Sequence, residues 1–172
     1  DAIQGSVSGV CRELRVPYFS CRGFTSQTEM WVGARRLMRA GKQRAVHILH
    51  LGDHDPSGID MSRDIQDRLA MFGAEIAFER LALNMPQIEE YEPPPNPAKM
   101  TDSRYQKYAD EHGEESWELD ALEPRVIADL VREAIDNRID HDAWALSEAE
   151  ENEHRRLLGV VSSRWDELTT DL

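Results

Sequence analysis

The chain has 172 residues, a length for one domain with room for an extension, and its 40% hydrophobic content can bury a single core. No apolar run of membrane-spanning length and no charged-then-apolar leader is present, so no membrane association is expected and the simplest compartment is the cytoplasm. A net charge of -13 argues against a grip on DNA by bulk electrostatics, while two cysteines, Cys11 and Cys21, give no disulfide framework and match no zinc spacing.

Ile3, Val7, Val10, Cys11 and Leu14 fall on one face of a helix that begins almost at residue 1. Pro17 to Cys21 has the composition of a short strand, after which Gly23, Thr25 and Ser26 supply a loop and a helix cap. Met30, Trp31, Ala34, Leu37 and Met38 give the next helix its buried face, and Gly41 is expected to end it in a left-handed conformation. The basic residues Arg35, Arg36, Arg39, Lys42 and Arg44 cluster here, a pattern that a solvated helix face explains most simply.

Ala45 to Leu51 reads as a strand buried on both faces. Pro56 sits well at a first helical position, and Ile59, Ile65, Leu69 and Phe72 carry an apolar stripe up to Gly73. Glu75 to Leu81 is a second strand, so the alternation predicts an α/β layer with a mostly parallel sheet. A short helix from Met85 to Tyr91 precedes Pro93, Pro94, Pro95 and Pro97, which predict an extended connector. Helices follow at 102–111 and 123–139, the latter amphipathic through Val126, Ile127, Leu130, Val131, Ala134 and Ile135. A polar, acidic stretch runs on to about Leu168. The acidity is concentrated late: residues 1–112 hold 16 acidic and 14 basic side chains, residues 113–172 hold 17 and 6. The expected organisation is an α/β core over 1–92, a proline-rich connector and packing segment over 93–122, and an acidic helical extension over 123–172.

The chemistry is concentrated in Gly52-Asp53-His54-Asp55-Pro56-Ser57-Gly58. Carboxylates at i and i+2 share one side of an extended chain, so Asp53 and Asp55 at a strand's carboxyl edge can serve one hard cation. The helix start at Pro56, Ser57 and Gly58 offers backbone amides to an anion. The competing account is structural: one Asp at a strand end and one as a helix N-cap. His54 points away from the acids and is expected to be exposed. His47 and His50 face opposite sides of their strand and cannot share a metal.

This string resembles the Toprim domain, in the branch that holds the DNA-cleaving subunit of topoisomerase VI and the related meiotic double-strand-break protein. Asp53, Asp55, Pro56 and Gly58 match that branch's Asp-X-Asp-Pro-X-Gly signature. Arg22-Gly23 with Thr25 and Thr28 is similar to its glycine loop, and Arg80 to Leu83, Gln87 and Tyr91 to the elements after its metal-binding helix. Glu118 to Leu122 resembles a further segment, so the likeness covers about residues 1–122. Thr28-Glu29 departs from the family's Thr-Arg pair, and the Glu that ends the family's first strand has no counterpart here; it and the family's nucleophilic Tyr are expected upstream.

The resemblance implies a Toprim-like Rossmannoid sheet flanked by helices, with a C-terminal helical extension. It also implies Mg²⁺, or Mn²⁺, held by Asp53 and Asp55 as catalytic and metal residues, with Ser57, Gly58, Glu118 and Arg22 as supporting or phosphate-contacting groups. The expected function is metal-assisted phosphodiester chemistry in a DNA-cleaving protein, either strand transfer or hydrolysis, with DNA as partner and a homodimer as a possible assembly. Without the upstream Glu and Tyr, the fragment is expected to bind metal weakly and to have little activity alone. A non-catalytic assembly module on the same fold is the alternative, suited by the acidic C-terminal third. A haloacid-dehalogenase-type phosphatase also uses Asp-X-Asp, but Pro56-Ser57-Gly58 matches it poorly.

Overall fold

The computed structural model describes residues 2–20, 23–42 and 44–165. They form an α/β protein that is mostly helical with a small parallel sheet. Two compact units are present, residues 1–134 and residues 135–172.

Helix α1 (Ala2–Glu13) buries Val7, Val10 and Cys11, as the apolar spacing requires. Residues 16–20 have no regular structure, and Tyr18 and Phe19 are exposed. Their strand-like composition finds no ladder partner among the described residues, and β propensity without a partner does not make a strand. Cys21 lies outside the described residues.

Helix α2 (Gln27–Gly41) starts with a capping box. The Ser26 hydroxyl accepts from the Glu29 amide at 3.2 Å, and the Glu29 carboxylate accepts from the Ser26 amide at 3.3 Å. Its buried face, Met30 and Ala34 with Leu37 and Met38, packs on Leu69, Ala74, Ile48, Ile65, Phe72 and Ile76. Trp31, expected on that face, is instead 45% exposed, because it sits at the margin of the stripe. Gly41 does not end the helix in a left-handed conformation; the cap is Lys42, with an ordinary helical φ of -66°.

Strand β1 (His47–Leu51) pairs in parallel with β2 (Ala77–Ala82), from His47 opposite Ala77 to His50 opposite Arg80, with a register shift before Leu51. Two further backbone bonds, Gly52 to Ala82 and Leu83 to Gly52, carry the pairing past the strand ends. The expected burial on both faces is not observed: β1 is exposed at His47 and half-buried beyond it, because this sheet has two strands among the described residues. Between the strands runs α3 (Pro56–Met71), with Pro at its first turn and Gly73 beyond its end at φ +81°.

Helix α4 (Met85–Tyr91) follows β2. The proline connector is not wholly free of pairing, since β3 (Asn96–Pro97) lies antiparallel to β4 (Glu115–Ser116) on either side of α5 (Tyr105–His112). Pro lacks an amide hydrogen and is tolerated in such a short edge pair. A 3-10 turn at Leu119–Ala121 leads to α6 (Pro124–Asp136), whose Ile127, Val131 and Ala134 are buried. The second unit is built on α7 (His141–Ser163), capped by Asp140 and without a buried described residue. No helix among the described residues is long and apolar enough to cross a membrane.

Candidate functional site

The acid-bearing loop leaves the carboxyl end of β1 and stays extended as far as α3. His54 forms an antiparallel bridge with Trp117: its amide donates to the Trp117 carbonyl at 2.7 Å, and the Trp117 amide donates back at 2.9 Å. Asp55 is extended, at φ -139° and ψ 170°. Alternation along such a segment puts Asp53 and Asp55 on one side and His54 on the other. Asp53 is exposed, Asp55 is half-buried, and His54 is only 2% exposed. The expected exposure of His54 is therefore wrong, because the bridge to Trp117 draws its ring inward.

Each acid spends one oxygen on a backbone amide. Asp53 Oδ1 accepts from Leu119 at 2.8 Å, and Asp55 Oδ1 accepts from Gly58 at 2.6 Å as the N-cap of α3. Neither carboxylate forms an ion pair among the described residues, so each keeps a second oxygen for another ligand. Gly58 is required by close approach, since a Cβ there would stand 2.2 Å from the Asp53 carbonyl oxygen. The structural account of Asp55 as a helix cap thus holds, and it leaves the rest of that carboxylate available.

Behind the loop lies Arg80 of β2. Its Nη2 donates to the carbonyls of Gly52 at 2.8 Å and Asp53 at 2.5 Å, and its Nη1 donates to the carbonyl of Gly58 at 3.0 Å and the hydroxyl of Ser62 at 2.7 Å. Nε reaches the Leu83 carbonyl at 3.3 Å. Burial lowers the Arg80 pKa, while the charges of Asp53 and Asp55 oppose that shift. Ser62 also meets His50 Nδ1 at 3.0 Å, and burial together with Arg80 holds His50 down to about 4. The result is a neutral ring and a cation fixing the inner side of an anionic loop.

Tyr108 of α5 ties down the other side. Its hydroxyl lies 2.9 Å from the carbonyls of His54 and Glu115 and 2.8 Å from His54 Nδ1. Carbonyls only accept, so the single hydroxyl proton is shared between them and His54 donates from Nδ1. Burial, then His112 and Arg80, lower His54 to about 4. Burial and the nearby Asp55 charge push Tyr108 up to about 12. His112 and Trp117 complete the aromatic surround of His54, with ring centroids 4.8 and 5.9 Å away.

Of the other residues nominated from sequence, Ser57 is half-buried in the first turn of α3. The Gly58 amide, expected to face an anion, is committed to Asp55. Glu118 is exposed and precedes the residue that holds Asp53. Arg22 lies outside the described residues. Sequence reasoning gave no site role to Ser62, Tyr108 or the Leu119 amide, placed Arg80 only within a family-like segment, and weighed His50 only as a metal ligand. A lone cation inside a strand was the available signal for Arg80.

Among the described residues no group of three or more His, Cys, Asp and Glu side chains is arranged to hold a metal. Two carboxylates with a free oxygen each suit a hard cation that keeps most of its water or borrows phosphate oxygens, as Mg²⁺ does. No protein-family description matches the chain, and no curated protein or solved structure is significantly similar to it.

Proposed function

We propose that the chain is a Toprim-like module of a DNA-cleaving protein, with Asp53 and Asp55 as the Mg²⁺-holding acids. One observation carries this reading: both acids stand at the carboxyl end of β1, on a loop fixed from behind by Arg80, each with an uncommitted oxygen. That edge is where open α/β sheets bind ligands. A bound Mg²⁺ would supply charge stabilisation at a phosphodiester phosphate. The chain's own contribution is to hold the two acids: Leu119 and Gly58 orient the carboxylates, and Arg80 prevents the loop from relaxing. Mn²⁺ shares the required chemistry and gives a spectroscopic probe.

The test is Mn²⁺ binding followed by electron paramagnetic resonance on the whole chain, with Mg²⁺ as competitor. Weak binding that Mg²⁺ displaces is expected, and Asp53→Asn or Asp55→Asn should abolish it. Asn caps helices about as well as Asp, so Asp55→Asn keeps α3 intact. Undiminished Mn²⁺ binding in both variants would end the proposal. In a plasmid nicking assay with Mg²⁺ this chain should show little activity alone.

A second reading, an assembly module on the same fold, draws on α7. That helix buries nothing among the described residues and exposes Leu146, Leu157, Leu158, Val160 and Val161. Self-association detected by light scattering and lost on deleting α7, with Mn²⁺ binding absent throughout, would favour it.

A further inference from the structure

We propose that the exposed face of α2 is a nucleic-acid site that grips the phosphate backbone with arginines and offers Trp31 for base stacking. This deepens the preceding reading and rests on it for the choice of DNA as the polymer. The buried face of α2 is set by Met30 and Ala34; Trp31, Arg35 and Arg39, spaced by four, line an exposed flank that starts beside that face and turns away from it. Arg36, Lys42 and Arg44 extend the same basic run, and all are exposed. From Met30 to Gly52 the chain holds no acidic residue.

What separates this patch from an ordinary solvated face is its lack of counter-charge. Elsewhere Arg63, Arg68, Arg104, Arg155 and Arg156 each hold a carboxylate within 4 Å in a chain of 33 acids. Among the described residues Arg35, Arg36, Arg39, Lys42 and Arg44 hold none. A run of cations left unpaired in an acidic protein is free to displace counterions from a phosphate backbone. Trp31 is 45% exposed, and the Arg35 guanidinium sits 5.0 Å from its ring centroid. An aromatic ring set among arginines suits bases, which stack, better than an acidic peptide, which does not. Arg68 of α3 holds the start of α2 through the Thr25 carbonyl at 2.7 Å and Gln27 at 3.3 Å, so the face is fixed to the helix that begins at the acid loop.

The experiment is fluorescence anisotropy on the whole chain with EDTA present, titrating fluorescein-labelled duplex and single-stranded DNA of one sequence. Affinity for both should fall by about tenfold or more between ~50 and ~200 mM salt. The double variant Arg35→Glu with Arg39→Glu should weaken binding by about tenfold or more and reduce the salt slope by roughly two. Trp31→Ala should weaken the single strand more than the duplex. These side chains are exposed, and an unchanged thermal melt will verify that the variants fold. Absence of salt-dependent binding, or wild-type binding by the charge-reversed chain, overturns the proposal. So does labelled polyglutamate binding as tightly as DNA, which would identify an acidic protein partner. Because metal is excluded, DNA binding without Mn²⁺ binding defeats only the metal reading, and Mn²⁺ binding without DNA binding defeats only this one.

Discussion

At Gly58 the backbone of one helix turn passes so close to the Asp53 carbonyl that a methyl group has no place. The obstruction is main chain and cannot swing aside, so Gly58→Ala must shift either the loop or the start of α3. We expect a loss of about 2–4 kcal/mol, read as a lowered urea midpoint, together with weakened Mn²⁺ binding. The histidines make a second residue-scale prediction. His50 and His54 are held near 4 against an ordinary 6.5, so above pH 6.5 both are neutral whether the chain is folded or not. As the pH falls from 6.5 towards 4, the unfolded chain binds protons that the folded chain refuses, and stability declines. Below the folded value the loss is complete. NMR titration of the two rings checks this directly, and a ring charging near 6.5 would contradict it.

The elements were legible where their cause is local. Pro56 at a helix start, Gly73 beyond the helix end, and the Ser26 cap all act within a few residues, and the structure places helix boundaries beside them; the partner that closes the Ser26 cap, Glu29, was not foreseen. The strand-like run at 17–20 misleads because a strand needs a neighbour, which composition does not supply. Asp53 and Asp55 stood out as a pair, yet the group that fixes their loop did not. Arg80 joins the end of β1, the first turns of α3 and the turn after β2 through carbonyls of residues that no sequence pattern links to it. Its role belongs to the elements it fastens. Arg80→Lys keeps the charge but loses the planar fork, and should cost about 2–4 kcal/mol while weakening Mn²⁺ binding at both acids' loop. Calorimetry and the resonance titration test the two effects, and a variant with wild-type values for both would show the clamp to be dispensable.

For the whole molecule, the parallel β1-β2 pair and its helices were readable from alternation, whereas the small β3-β4 pair inside the proline segment was not. The acidic end of the chain forms a unit of its own from residue 135, and α7 contributes no buried residue among those described. A chain ended after Ile139 keeps Ile127, Val131 and Ala134 of α6 and loses none of that core. It should melt cooperatively within a few degrees of the parent, since ~1 kcal/mol moves a midpoint by only about 2–8 °C. A non-cooperative melt would mean that the core extends into α7.

The grip of Leu119 on Asp53 spans 66 positions. During synthesis the two acids therefore emerge from the ribosome well ahead of the amide that aims one of them, and His54 likewise waits for Trp117. A nascent chain halted before residue 117 already owns both carboxylates of the loop and still lacks the amide that orients Asp53. Contacts of such long sequence separation carry a loop-closure cost that local contacts do not, so the orientation of Asp53 is set only after most of the first unit has been made.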